Sequence, residues 1–219
     1  MKRLLLYLKS TIQFGLHIYR SSCTTLQAYF NANWAWNKDD RRSTESFCIF
    51  LGNNLISWSC CKQATITRSN TESGYKALAN IETKLKWLQF LLHELGLSLT
   101  APLTLWCDNI AAIYLSSNPV FYAKTKHVKI DFHFVRDMVA NKSLNVRFIS
   151  NHDQLANLLI KPISSFPFAL LWTKLNILSI PLCLRGRVKD KDKTSKDKDL
   201  GSKSKYITSY QLQLRKQAT

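Results

Sequence analysis

Acidic side chains are the first candidates for chemistry in this sequence, because carboxylates are the ligands that magnesium prefers. Asp108 follows the compact apolar run Leu103 to Cys107, which is typical of a buried strand, and precedes a short helical pattern. An acid between a strand and a helix most often caps the helix. Glu72 lies near the start of a longer helical pattern, where an acid also favours the helix dipole. Helix capping is therefore the alternative to a catalytic role at both positions.

The six cysteines do not indicate a metal site or a disulfide framework. They form no C-x-x-C pair, and the adjacent Cys60 and Cys61 would point to opposite faces of a strand. A reducing compartment fits this pattern better than a secretory one. We expect an intracellular protein, cytoplasmic or nuclear, that is not secreted.

The charge of the chain favours a polyanionic partner. The net charge is +17, of which residues 185–219 carry +7 (11 basic against 4 acidic residues) and residues 1–184 carry +10. A basic surface binds nucleic acid through phosphate contacts and counterion release, although charge alone also fits an acidic lipid surface or no partner. The apolar stretch from Leu155 to Leu184 is broken by lysines and prolines, so we expect no membrane span.

The elements that must position these residues follow from hydrophobic periodicity. Apolar positions near helical spacing occupy residues 1–20, and a helix with one apolar face is predicted from Tyr75 to Leu95, ended by Gly96. A second helix is predicted from Asn109 through Leu115, a third from Thr125 to about Ala140, and a closing one from Asp153 to about Ile160. Strands are predicted at Leu26–Trp34, Phe47–Leu51, Leu55–Cys61, Leu103–Cys107 and Leu144–Ile149, with Gly52-Asn53-Asn54 as a hairpin turn.

This order predicts an α/β fold, with an antiparallel hairpin section and later strands that need helical crossovers. The Lys/Asp-rich tail, KDKDKTSKDKD within residues 185–219, is expected to be disordered.

Four segments of the sequence resemble the ribonuclease H domain of copia-type retrotransposon (retrovirus-related) Pol polyproteins. They appear in the family's order and at plausible spacings, and the resemblance as a whole covers roughly residues 4–180. The segments are YLKSTIQFGL (7–16), AYFNANWAWNKDDRRSTESFCIFLGNNLISWSCCKQATITRSNTESGY (28–75), WCDNIAAIYLSSNPVFYAKTKHVKIDFHFVRDMV (106–139) and DQLANLLIKPI (153–163). The resemblance implies a ribonuclease H-like mixed sheet, with a three-strand antiparallel section plus parallel strands, flanked by helices.

The resemblance also implies a chemistry, namely hydrolysis of the RNA strand of an RNA–DNA hybrid. Two Mg²⁺ ions roughly 3.5–4 Å apart clamp the attacking water and the leaving oxygen. Four acidic positions hold these ions in the family. The implied partners are the hybrid and, ancestrally, a fused reverse transcriptase and integrase.

Only one of the four acids is present in this chain. The family pattern S-D-A-D-W reads Phe30-Asn31-Ala32-Asn33-Trp34, so Asn31 stands where the metal-bridging Asp is expected. Gly74 replaces the second Glu of T-E-A-E-Y, and Asn157 replaces the last Asp of D-Q-L-A-D. Asp108 is intact. Because Asn offers a neutral oxygen and Gly offers none, we expect a degenerate copy that binds no Mg²⁺ and cuts no RNA.

A neighbouring acid does not restore the site. Glu72 lies two positions from Gly74, which is about 200° around a helix, and therefore faces away. Asp153 lies one turn before Asn157 and reaches at most the edge of the site. Neither residue fills the metal-bridging position on the first strand.

A set of basic residues is predicted to contact nucleic acid, with a solvated surface as the alternative. The set consists of Lys62, Arg68, Lys124, Lys126 and Lys129.

The expected organisation has four parts: residues 1–20 as a remnant of the polymerase connection segment, 21–163 as the ribonuclease H-like domain, 164–184 as an apolar extension, and 185–219 as the tail. The leading hypothesis for function is an inactive ribonuclease H-like domain. The alternatives are a non-catalytic nucleic-acid-binding module and a decayed remnant with no molecular function.

Overall fold

The computed structural model describes residues 2–37, 39–99, 101–117 and 129–179, which fall into two compact units. The described residues of 18–163 form one unit, and the other joins residues 2–17 to residues 164–179. In chain order the described elements are α1 (Lys2–Thr11), β1 (Phe14–Leu16), β2 (Leu26–Asn33), β3 (Thr44–Leu51), β4 (Asn54–Lys62), α2 (Asn70–Glu94), β5 (Leu103–Cys107), α3 (Ile110–Ser117), α4 (Lys129–Ala140), β6 (Leu144–Phe148), α5 (Asn157–Ile160), α6 (Ser165–Lys174) and β7 (Ile177–Ser179).

The larger unit is built on a five-stranded sheet in the order β4-β3-β2-β5-β6. Strands β4, β3 and β2 are antiparallel neighbours, whereas β2, β5 and β6 run parallel. The parallel strands require crossover connections, which contain α2 after the antiparallel section and α3 and α4 between β5 and β6. This mixed sheet with flanking helices confirms the predicted fold class.

Alternation along β2 places one face of the sheet in the core. Leu26, Ala28 and Phe30 are buried, as the period-2 pattern predicts. The predicted hairpin is also present, since β3 ends at Leu51 and β4 begins at Asn54. Gly52 has φ +58°, and a Cβ atom on it would lie 2.5 Å from the carbonyl oxygen of Cys23. The turn therefore requires glycine both for its backbone conformation and for space.

The long helix α2 begins five residues earlier than the predicted start at Tyr75. Its first residue is Asn70, and Ser69 caps it by accepting a hydrogen bond from the backbone nitrogen of Glu72. The apolar periodicity starts only at Tyr75, whereas the expected place of Glu72 in the first turn agrees with the observed start, and the Ser69-x-x-Glu72 pattern is a capping signal. The helix ends at Glu94, and Gly96 follows with φ +80°, as the stop signal predicts.

The closing helix is shorter than predicted. Residues 153–156 form turns, and α5 spans only Asn157–Ile160. The buried side chain of Gln154 donates hydrogen bonds to the backbone oxygens of Phe30 (3.0 Å) and Trp106 (3.3 Å). These bonds satisfy the buried amide of Gln154, and they attach this segment to two strands of the sheet.

The smaller unit was predicted only in part. Helix α1 agrees with the helical spacing of the first residues, but β1, α6 and β7 were not predicted. Strands β1 and β7 pair antiparallel over three residues each, and the rings of Phe14 and Trp172 meet edge to face at 5.8 Å. Strands of three residues carry too little pattern to be recognised in a sequence.

Candidate active site

The site lies where two parallel neighbouring strands end. Tyr29 on β2 is in register with Trp106 on β5. Asn31 lies two residues after Tyr29, and Asp108 lies two residues after Trp106. Side chains two residues apart point to the same face of a strand. The sheet thus brings together two of the four predicted site positions from segments 77 residues apart in the chain.

Asn157 reaches the same point through the segment after β6. Besides the hydrogen bonds of Gln154, the hydroxyl of Ser46 donates to the backbone oxygen of Ala156 at 2.9 Å. These contacts place Asn157, which is 3% exposed, against Asn31, which is 7% exposed. The sequence prediction missed the positioning roles of Gln154 and Ser46. The sequence carried no signal for either role, because these bonds join segments far apart in the chain.

The three side chains form one hydrogen-bonded cluster, which we call the amide cluster (Asn31, Asp108, Asn157). Nδ2 of Asn31 donates to Oδ2 of Asp108 at 2.9 Å and to Oδ1 of Asn157 at 2.7 Å. Oδ1 of Asn31 accepts from the backbone nitrogen of Ala32 at 2.7 Å. Nδ2 of Asn157 donates to the backbone and side-chain oxygens of Asn151. The two amides therefore use their donors and acceptors within the protein.

Lys161 is a site residue that the sequence prediction missed. Its Nζ donates to Oδ1 of Asn151 at 3.0 Å and lies 3.9 Å from Oδ2 of Asp108. The signal in the sequence was its spacing, because Lys161 follows Asn157 by four residues, which is about one helical turn. The surviving carboxylate thus faces a lysine ammonium.

Asp108 is held away from bulk water. Burial raises the pKa of its carboxyl group, while Lys161 and the hydrogen bond from Asn31 act in the opposite direction. The capping role considered for Asp108 falls to its neighbour, since Oδ1 of Asn109 accepts from the backbone nitrogen of Ala112 at 3.1 Å. The carboxylate of Asp108 is therefore available to the site.

Gly74 contributes no ligand and leaves a space that Asn109 partly fills. A Cβ atom at position 74 would lie 2.9 Å from Nδ2 of Asn109. Glu72 does not replace the missing acid, because its Oε2 accepts from the backbone nitrogen of Arg68 at 2.8 Å and its Oε1 lies 3.5 Å from Nζ of Lys76. Glu72 acts in the cap of α2.

These residues do not fit a pair of Mg²⁺ ions. Magnesium needs several oxygen ligands, and two neighbouring dications need several negative charges. The amide cluster offers one carboxylate, and Asn31 directs its N–H groups toward the oxygens of its neighbours. Within the described ranges, no three His, Cys, Asp or Glu side chains come together as a metal site.

The predicted basic residues are placed differently from one another. Lys62 pairs with Asp40, with Nζ 3.1 Å from Oδ2, and Arg68 precedes the cap of α2. Lys129 is the first residue of α4. Lys124 and Lys126 lie outside the described residues.

An open cleft of about 420 Å³ lies beside the amide cluster. Four asparagines, Asp108 and Lys161 line most of it; the asparagines are Asn31, Asn33, Asn70 and Asn109. The cleft is therefore lined by amides with one negative and one positive side chain. No helix in the described part of the chain is long and apolar enough to cross a membrane.

The chain is similar in sequence to known proteins. The chain is 41% identical, over 83% of its length, to the retrovirus-related Pol polyprotein from transposon RE1 of Arabidopsis thaliana, and 32% identical, over 77%, to that from transposon TNT 1-94 of Nicotiana tabacum. These matches cover 12% and 13% of the two relatives. LC11-RNase H1, isolated from compost, superposes with a TM-score of 0.48 at 14% identity, covering 62% of this chain and 92% of that one. No protein-family model matches the chain.

The five-stranded mixed sheet, with its antiparallel and parallel sections, has the strand arrangement that the resemblance to ribonuclease H implied, and the candidate site lies at the ends of β2 and β5. The chain belongs to the retrovirus-related Pol polyproteins of copia-type transposons. It spans about an eighth of the length of the curated relatives named above.

Proposed function

We propose that this chain is a ribonuclease H-like domain that has kept its fold but does not cleave RNA. The observation that carries the proposal is the double donation from Nδ2 of Asn31 to Asp108 and Asn157. An amide N–H presents positive charge at the point where the family's bridging acid would present negative charge. A cation at this point would meet a donor rather than a ligand.

The electrostatics of the site support the same proposal. Asp108 retains one negative charge, and Lys161 supplies a positive charge at 3.9 Å. In the family, four acids oppose the charge of two dications, whereas here the formal charge of Asp108 and Lys161 sums to zero. Without an excess of negative charge, the site cannot hold Mg²⁺ at ordinary concentrations. The ancestral hydrolysis of RNA in RNA–DNA hybrids depends on these ions.

The direct test is cleavage of a labelled RNA–DNA hybrid by the purified chain, with Mg²⁺ and separately with Mn²⁺. We expect no cleavage by the natural chain and cleavage by the variant Asn31→Asp/Gly74→Glu/Asn157→Asp. The matched control adds Asp108→Ala to that variant, which should silence it again. Magnesium-dependent cleavage by the natural chain that Asp108→Ala abolishes would overturn the proposal.

A second candidate function is binding of nucleic acid without catalysis. It is favoured by the net charge of +17 and by the presence of Lys161 in a cleft that lacks excess negative charge. It predicts micromolar binding to an RNA–DNA hybrid that weakens steeply with salt, and weaker binding after Lys124→Glu/Lys126→Glu. If residues 185–219 alone account for the binding, this candidate fails.

A further inference from the structure

We propose that the cleft beside the amide cluster binds one backbone phosphate of a nucleic acid directly, without a metal ion. The proposal rests on the proposed function, since it requires that the site no longer holds Mg²⁺. The ligand is a phosphodiester group, and Lys161 makes the charged contact.

The net charge of the side chains that line the cleft is the first observation that supports phosphate binding. Among the side chains that line it, only Asp108 and Lys161 are charged, and their formal charges of −1 and +1 cancel. A site with four carboxylates would repel a phosphate unless cations lay between them. In this chain Asp108 is the one negative side chain among those that line the cleft, and the ammonium of Lys161 offsets its charge.

The contacts of Asp108 carry the second step. Its side chain is 12% exposed, and its Oδ2 accepts a hydrogen bond from Asn31 at 2.9 Å and faces Nζ of Lys161 at 3.9 Å. The negative charge of Asp108 thus faces a hydrogen-bond donor, Asn31, and a cation, Lys161, of the protein itself. The Lys161 side chain is 36% exposed and therefore reaches solvent in the cleft.

The donors of the cleft carry the third step. An ammonium group has three N–H donors. In Lys161 one donates to Asn151 at 3.0 Å and another lies toward Asp108, which leaves one for a ligand. Asn33 and Asn70 add side-chain amides to the wall, whereas Nδ2 of Asn109 donates to the backbone oxygen of Asn70 at 3.3 Å.

The test measures binding of a fluorescently labelled RNA–DNA hybrid to the full chain by anisotropy. Titrations are made with Mg²⁺ and with EDTA at matched ionic strength, over a range of salt concentrations. We expect the same affinity with and without Mg²⁺ to within about twofold. We also expect Lys161→Gln to weaken binding and to reduce the slope of log K against log salt by ~0.9, the value for one phosphate contact.

Two further variants serve as controls for the effect of charge. Lys84→Gln removes the same charge from the exposed face of α2, 14 residues from Asn70 and thus roughly 20 Å along the helix. It should leave the salt slope unchanged, because this distance exceeds the Debye length. Asn31→Asp/Asn157→Asp adds two negative charges to the site. It should weaken binding in EDTA, and Mg²⁺ should restore it.

The proposal is overturned if the natural chain needs Mg²⁺ to bind the hybrid or does not bind it. It is also overturned if Lys161→Gln keeps the natural salt slope. Cleavage of the hybrid by the natural chain would instead overturn the proposed function. If cleavage is absent and binding still requires Mg²⁺, only the phosphate proposal fails.

Discussion

Nδ2 of Asn109 lies 2.9 Å from where a Cβ atom on Gly74 would stand, so Asn109 fills the space beside this glycine. The same side chain caps α3 through Oδ1. The two helices are therefore coupled through one amide. A side chain placed at position 74 of α2 must displace Asn109, which caps α3.

This relationship predicts a coupled response to substitution. Gly74→Ala should gain roughly 0.5–1 kcal/mol from helix propensity and lose a similar amount from disturbing the cap, so its net effect on the free energy of unfolding should be small. Gly74→Ala/Asn109→Ser should be more stable than Asn109→Ser alone by ~0.5–1 kcal/mol, because serine caps a helix without the obstructing Nδ2. Urea unfolding of the four proteins measures the difference, and strict additivity would contradict the prediction.

The amide cluster predicts that restoring one acid destabilises the metal-free protein. In Asn31→Asp, a carboxylate oxygen would replace Nδ2 and face Oδ2 of Asp108 and Oδ1 of Asn157, so both hydrogen bonds would become repulsive contacts. We expect a loss of roughly 2–3 kcal/mol in EDTA, typical of a buried unsatisfied group. Thermal melting in EDTA and in Mn²⁺ measures this loss and its recovery.

The control for this prediction is Asn33→Asp. It adds the same charge two residues along β2, at a half-buried position outside the cluster. It should change the melting temperature less than Asn31→Asp does. Equal losses in both variants would show that the added charge, rather than the broken hydrogen bonds, determines stability.

Glu82 predicts a pH dependence of stability. It is fully buried on α2, neither carboxyl oxygen accepts a hydrogen bond from the part of the chain that the structure describes, and burial raises its pKa from 4.5 to about 7. Between these two values the folded chain holds a proton that the unfolded chain has released, so stability falls as pH rises through this window. The full effect is of the order of 3 kcal/mol. Glu82→Gln should remove most of it.

The measurement is urea unfolding at pH 5 and pH 8. The control is Glu45→Gln, because Glu45 is also buried but accepts hydrogen bonds from Gln63 and Asn80. That variant should be less stable than the natural chain at both pH values. If Glu82→Gln keeps the natural difference between the two pH values, the prediction is wrong.

The pair Lys62–Asp40 predicts a gain of nucleic-acid binding. Both side chains are well exposed, so the pair contributes little to stability. Asp40→Asn would free the charge of Lys62 for a phosphate, and we expect hybrid binding to strengthen roughly twofold at low salt. Asp39→Asn, which removes an adjacent negative charge, is the control. A larger gain in the control would mean that Lys62 does not contact the hybrid.

The sequence predicted the sheet and most helices because those segments carry strong periodicity. Leu26, Ala28 and Phe30 alternate, and the apolar face of α2 repeats at helical spacing. The same reasoning predicted α5 too long, because Asp153 to Ile160 resembles a helix in polarity. The hydrogen bonds of Gln154 to two strands, which favour turns there, depend on chain segments far away.

The composition of the site could be anticipated residue by residue, but its internal bonding could not. The resemblance pointed to Asn31, Asp108 and Asn157, which lie together in the structure. The salt bridge between Lys161 and Asp108 joins residues 53 positions apart and follows only from the fold. The spacing of Lys161 from Asn157 indicates that the two residues lie about one helical turn apart. It does not indicate that Lys161 pairs with Asp108.

The pairing of β1 with β7 has a consequence for the order of folding. The residues between Leu16 and Ile177 form a loop of about 160 residues, and closing a loop of that length in an unfolded chain costs roughly 4–5 kcal/mol in entropy. Three residue pairs cannot offset that cost. During synthesis β1 must therefore wait until Ile177–Ser179 has emerged, and in the folded protein this ribbon should exchange its amide hydrogens well before the five-stranded sheet does.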